Sequence, residues 1–400
     1  MTAQRRHTGV QPSRDILDGR AGYRIYADWG QVGVLEGGGH ICELILNSVP
    51  RINPLWKPPW TTIDPDRCSA GRQTRTYGPP PDGKLLAGIA GHSLSFDHFG
   101  PPSKEEAAAG LATHGEAPCT RWKMKKVSAS RLPALHCGCV LHEAQIRFRR
   151  SISVDSTNPV VYCEERAENL GVYDRPISWN EHVTYGPPFV ECGTTVFDMP
   201  ATRAKTCPPG YSETIFLQPD AEFIWPEAPR KDGSRSNLRN MPDETYGHYT
   251  AQLLDPALQT AFISACNPRL RLLVVYAFRR KDFPWVGNWE ERNSRTSAPW
   301  TGKTFCRGME FSTTPWAVPR RETIDQGPLF AEGTYRWLPA RSGLTVRYLI
   351  MLLTMTPRIT PKAAHKLGQY LTAISGGADL AKECTETGRP TKECHDSGAL

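Results

Sequence analysis

Two neighbouring stretches decide the fold: Ile146-Arg-Phe-Arg-Arg-Ser-Ile-Ser-Val154 and Val160-Val-Tyr-Cys-Glu-Glu-Arg-Ala-Glu-Asn169, parted by the turn signal Asn158-Pro159. Each is of strand length and interleaves branched or aromatic residues with polar ones, which predicts two successive strands. The pattern recurs downstream at residues 213–217, 249–254, 261–266, 270–279 and 344–353, with Pro208-Pro209-Gly210 and Asn267-Pro268 as further breaks. Repetition of this kind, with almost no helical periodicity, predicts a mainly β chain: a large antiparallel β-sandwich with few short helices, and no alternating βαβ units.

Upstream of these strands, residues 23–28 and 33–46 predict a first strand pair, and Gly37-Gly38-Gly39 marks a turn rather than a phosphate cradle, since no strand–Gly-rich–helix unit surrounds it. Residues 50–82 are dense in proline and tryptophan (Pro54, Trp56, Pro58, Pro59, Trp60) and predict a long irregular loop lining a pocket. At residues 101–110, Ser103 followed three positions later by Glu106 predicts a capped helix, the longest before the C-terminus. The expected organisation is a flexible polar leader over 1–20, one β-sandwich domain over 21–360, and a C-terminal helix and polar tail over 361–400.

Composition narrows the function classes. The 34 glycines and 35 prolines exceed average usage and suit a turn-rich β protein, while 13 Phe, 13 Tyr and 11 Trp exclude a mainly disordered chain. Net charge is +7 without a dense basic block, and the cluster Arg121, Lys123, Lys125, Lys126 is too short for a nucleic-acid groove, so it predicts a solvated strand or loop. The run 344–355 carries Arg347 and is too short to cross a bilayer. With no apolar leader and twelve scattered cysteines, the expectation is a cytoplasmic protein with reduced thiols, binding neither membrane nor nucleic acid.

His136, Cys137, Cys139 and His142 offer four possible metal ligands, but zinc sites ordinarily use wider loops. Residues 139–149 alternate as a strand with Val140, His142, Ala144, Ile146 and Phe148 on one face and Cys137 and Cys139 on the other, so strand packing is expected and no metal.

Three segments set ionisable residues among glycines, prolines and aromatics: Thr113-His114-Gly115-Glu116-Ala117, Trp179-Asn-Glu-His182-Val-Thr-Tyr185-Gly186, and Arg307-Gly308-Met309-Glu310-Phe311 through Trp316. In this order they resemble the aldose 1-epimerase, or galactose mutarotase-like, superfamily. His114-Gly115 follows the early strands, Asn180-Glu181-His182 the middle ones, and Gly308-Met309-Glu310 comes near the end; residues 161–171 and 91–100 add to the likeness, which covers about residues 21 to 355.

The resemblance implies a supersandwich that binds a monosaccharide or sugar derivative and interconverts its α and β anomers without a cofactor. A base takes the anomeric hydroxyl proton, an acid protonates the ring oxygen, the ring opens, the aldehyde rotates, and closure reverses both transfers. It implies Glu310 as base, His182 as acid, the two on opposite sides of the sugar, and His114 hydrogen-bonding the sugar. Burial among Trp316, Phe311 and Met309 is expected to raise the Glu310 pKa. Sugar binding also calls for planar apolar faces and polar partners. The candidates are Trp285, Trp289, Trp300, Trp316 and Tyr185, with Asn180, Asn288 and Arg292; Arg121, Asp97, His92 and His98 are candidates for orienting hydroxyls. The alternative is a non-catalytic carbohydrate-binding protein of the same fold.

Overall fold

A computed structural model describes residues 11–355 apart from 50, 69–70, 72, 128–131 and 133. The helix and tail expected at 361–400 lie outside the described residues, as does the first half of the expected leader. Two antiparallel sheets, of twelve and eight strands, make the body. Strands Ile146–Val154 and Val160–Asn169 form with the predicted limits. The later runs become Tyr246–Leu254, Thr260–Asn267, Leu272–Arg279 and Gly343–Thr354.

The centre of the larger sheet runs in the order His92–Asp97, Arg175–Tyr185, Phe305–Ser312, Trp285–Arg292, Tyr246–Leu254. Its inner face meets the smaller sheet through interlocked rings. Phe148 of the smaller sheet lies 5.0 Å from Phe96 and 5.4 Å from Trp179, and Phe278 stacks on Phe311 at 4.4 Å. Such pairs add to the area term that drives sheet packing.

Not every inward position of the deciding stretches is apolar. Arg150 points into the core with Phe148 and Ile152 and is fully buried. It pairs with Glu165 of the next strand, reaches Glu181 Oε2 at 3.3 Å in the larger sheet, and donates to the Gly39 carbonyl at 2.8 Å. His92 Nε2 lies 2.8 Å from Glu181 Oε2, Trp179 Nε1 donates to Glu181 Oε1 at 2.9 Å, and Tyr348 donates to Glu165 at 3.0 Å. Burial raises the Glu165 carboxyl to about 8 despite Arg150. This network ties the two sheets together by polar contacts at their centre.

Several expectations are corrected. The sheet begins inside the expected leader: Pro12–Leu17 pairs residue for residue with residues 20–25 of strand Arg20–Ala27. It is an edge strand whose Leu17 is buried beside Leu35 and Cys42 while Ile16 is 62% exposed, so no apolar alternation marks it in the sequence. Residues 213–217 make no strand; only an isolated bridge joins Leu217 to Arg230, and Phe216 caps Tyr246 at 4.8 Å. Residues 139–149 turn back on themselves: Ala134–Leu141 ends, Gln145 takes a left-handed φ of 56°, and Ile146 starts the next strand. The capping box forms, with Glu106 N to Ser103 Oγ at 3.2 Å and Ser103 N to Glu106 Oε2 at 2.8 Å, but its helix Lys104–Ala108 is shorter than Asp82–Gly88. The basic cluster becomes strand Lys123–Val127, the last of the smaller sheet, with Lys123, Lys125 and Lys126 exposed.

Candidate functional site

Strand alternation sends His182, Asn180 and Thr184 to the outer face of the larger sheet, and Glu181, Val183 and Tyr185 to the inner. His182 pairs in register with Glu310 on the adjacent strand, and Glu310 with Gly287 on the next. Directly opposed residues project from the same face, so the register alone brings the histidine and the glutamate together. Two glycines clear the space: a Cβ at Gly308 would lie 2.7 Å from Glu310 Oε1, and one at Gly287 would lie 2.0 Å from the Tyr249 hydroxyl. Gly287→Ala is therefore expected to cost about 1–3 kcal/mol, read by urea unfolding, because the Tyr249 ring must leave its place.

Over this face lies a cavity of about 250 Å³, lined among others by Phe99, His114, His182, Tyr211, Tyr249, Trp289, Trp300, Arg295, Asp82 and Glu310. Its walls combine aromatic rings with the aliphatic Leu85, Leu86 and Ile89. Trp300 and Trp289 sit 6.1 Å apart edge to face, backed by Trp56 and Trp60 from the proline-rich loop. That loop thus works as a second layer behind the wall, and the stretch supplies Asp82, which accepts from Thr113, to the lining itself.

On the floor, His182 Nε2 lies 3.3 Å from Glu310 Oε1, and Asn180 Nδ2 donates to Glu310 Oε2 at 3.3 Å. His182 Nδ1 lies 2.9 Å from Thr184 Oγ1. The two ionisable groups stand side by side, in contact, rather than across a sugar-sized gap. Burial pushes the Glu310 carboxyl up to about 8, with the Asn180 hydrogen bond pulling the other way. Burial also pulls the His182 imidazole down to about 4. The raised carboxyl does not come from Phe311 and Met309, which point from the same strand to the inner face. Nor is Glu310 spent on Arg307, which pairs with Glu290 at 3.2 Å on that inner side.

His114 stacks on Phe99 at 5.1 Å and lies 5.5 Å from the His182 ring. Its backbone is left-handed, φ 66°, and its Nδ1 accepts from Gly100 N at 3.1 Å. Nδ1 therefore carries no proton and Nε2–H is the available donor. Burial holds its pKa well below the ordinary histidine value.

The remaining candidates divide by face. Trp289 and Trp300 line the cavity and Asn180 braces Glu310, whereas Tyr185 faces inward against Phe189 and Phe197 at 5.9 and 6.0 Å. His92 is held by Glu181 in the core, and Asn288 donates to Glu290 there at 3.0 Å. Arg292 pairs with Asp243 and lies over Phe305; Trp316 packs behind Tyr249 at 6.0 Å; Trp285 donates to the Gly333 carbonyl. Asp97 is taken by Arg175 and Arg320, Arg121 by Asp64, Asp66 and Glu36, and His98 is buried outside the lining. His136 is exposed on the face of its strand opposite buried Cys137 and Cys139, so these three cannot share one ion, and no metal-binding group occurs among the described residues. Asp82, Tyr211, Tyr249 and Thr184 were not legible as site residues, because none stands beside a motif except Thr184, two positions from His182.

No protein-family profile matches the chain, and no curated protein matches it. Solved structures do. A "putative aldose 1-epimerase" of Klebsiella pneumoniae superposes with TM-score 0.64 at 12% identity, over 92% of this chain and 88% of that one. A galactose mutarotase-like protein of Clostridium acetobutylicum gives TM-score 0.57 at 12% identity, over 86% and 99%. A "putative aldose 1-epimerase" of Escherichia coli K12 gives 0.53 at 12%, over 84% and 99%. At such identities the likeness is one of fold, and this chain has the galactose mutarotase-like fold.

Proposed function

We propose that the protein interconverts the α and β anomers of an aldose, with Glu310 as the base, His182 as the acid and the His114 Nε2–H as a donor to the sugar. The single observation that carries this reading is the His182–Glu310 pair, in contact at 3.3 Å on the floor of a monosaccharide-sized cavity walled in part by indoles. The anomeric hydroxyl and the ring oxygen are bonded to the same carbon, so the two atoms that exchange protons lie close together. Groups standing side by side serve them as well as groups on opposite sides would.

Between about pH 4 and pH 8 the pair holds one proton, which rests on Glu310 and passes to His182 to give the reactive form, ionised Glu310 beside protonated His182. Desolvation makes ionised Glu310 a stronger base and protonated His182 a stronger acid than either is in water. Glu310 takes the proton of the anomeric hydroxyl, His182 gives its own to the ring oxygen, and the ring carbon–oxygen bond opens to the aldehyde. Rotation and closure on the other face return both protons, so the pair ends as it began. Among the described lining residues Arg295 is the cationic side chain, already paired with Glu291 at 3.4 Å and lying over Trp300 at 4.8 Å, which favours a neutral sugar over a phosphorylated one.

Polarimetry of freshly dissolved α-glucose and α-galactose tests the proposal. Acceleration over buffer supports it; binding of a sugar with no acceleration for any common aldose would replace it with the non-catalytic reading. The rate should also be bell-shaped in pH. Below about 4 both members are protonated and the base is lost, and above about 8 both are deprotonated and the acid is lost.

A further inference from the structure

We infer that Thr184 is a positioning residue: its hydroxyl accepts the Nδ1 proton of His182, which turns the unprotonated Nε2 toward Glu310 and leaves the imidazolium fully hydrogen-bonded once it forms. The inference rests on the acid role proposed for His182. Thr184 and His182 sit two positions apart on one strand and therefore on the same face, and Thr184 Oγ1 is 2.9 Å from Nδ1. The Thr184 main chain is engaged elsewhere, its N–H on the Gly91 carbonyl and its carbonyl on Trp56 N, so the side chain is fixed from below. Thr184 is 1% exposed and His182 4%, so the contact between them is shielded from bulk water.

Tautomer follows from what each nitrogen faces. Nε2 faces Glu310 Oε1 at 3.3 Å, and burial keeps that carboxyl protonated at neutral pH, so Nε2 is the side that accepts and Nδ1, 2.9 Å from Thr184 Oγ1, is the side that donates. With Nδ1–H toward Thr184, Nε2 presents a lone pair to the Glu310 carboxyl. A proton can then pass from oxygen to nitrogen without either side chain turning. The resulting imidazolium has two N–H groups: Nδ1–H stays on Thr184 Oγ1, and Nε2–H, formed beside the Glu310 carboxylate, is the one given to the ring oxygen. The other groups around the ring are His114 at 5.5 Å, Trp289 at 5.6 Å and Phe99 at 6.5 Å, none of which hydrogen-bonds Nδ1, while His92 lies on the inner face of the sheet.

The experiment compares wild type, Thr184→Val and Thr184→Ser by nitrogen-15 histidine spectra and by mutarotation kinetics, with the His182 signals assigned through their loss in His182→Gln. In wild type and Thr184→Ser, His182 should read as one tautomer protonated at Nδ1. In Thr184→Val, a near-isosteric change, the two nitrogens should average, kcat should fall about 10- to 100-fold, as loss of a hydrogen bond to a charged group implies, with KM little changed, and the acid limb of the pH profile should move to lower pH. Unchanged nitrogen shifts in folded Thr184→Val would overturn the inference, as would a wild-type His182 protonated at Nε2. A protein that shows the Nδ1 tautomer but accelerates no mutarotation would sink the proposed function while leaving the Thr184 contact in place, so the two failures are distinguishable.

Discussion

Glu310→Gln is expected to lower the mutarotation rate by roughly 10²- to 10⁴-fold, the range that a positioned general base contributes, while sugar binding is largely retained. Glutamine keeps the shape and can still meet Asn180 and His182, but it cannot take a proton. The same change should stabilise the fold. In wild type the carboxyl is held near 8 against an ordinary 4.5, so the folded state keeps a proton that the unfolded chain releases, and stability is lost as pH rises from about 4.5 through about 8. Glutamine removes that dependence. Melting curves at pH 5 and pH 8 should show the variant gaining over wild type, and gaining more at pH 8. Less activity with more stability separates a lost base from a damaged fold; a variant less stable at pH 8 would contradict the burial argument for Glu310.

The largest loss of stability is expected from Arg150→Met. The guanidinium is wholly buried and touches Glu165, Glu181 and the Gly39 carbonyl, so its removal leaves two buried carboxyls 0% exposed without their cation. Breaking a buried ion pair from one side typically costs about 3–5 kcal/mol, more than deleting a surface pair by several-fold. Urea unfolding reads this directly. Arg150→Met combined with Glu165→Leu and Glu181→Leu should recover part of the loss, since replacing a whole buried network with apolar groups is often tolerated; no recovery would indicate that shape rather than charge holds the two sheets together there.

How far the sequence could be read depended on whether a strand has a wet face. Ile146–Val154 and Val160–Asn169 alternate buried and exposed positions, and their limits follow from sequence alone. Arg175–Tyr185 is buried without interruption from Ile177 to Tyr185, because the smaller sheet covers one face and the cavity the other. Composition then carries no sign of which residues face the cavity, and so His182 and Tyr185, both plausible, end up on opposite sides. The same blindness placed His92 and Asn288 at the site when they lie in the core. His114, His182 and Glu310 were found through the order of their motifs. Asp82 opens the helix Asp82–Gly88 and Tyr211 comes from a loop; the approach of both depends on the whole fold, and nothing local marks them.

The lysines of strand Lys123–Val127 were first a question about nucleic acid. Their position gives another answer. Among the described residues this strand ends the eight-stranded sheet with no strand on its outer rim, the kind of edge on which a second chain continues a sheet. Lys123, Lys125 and Lys126 stand exposed there, and a strand approaching from another copy would bring its own three lysines against them or pass them into the new contact without counter-charge. In a mainly β protein these lysines thus stand where like charge disfavours edge-to-edge pairing of two copies.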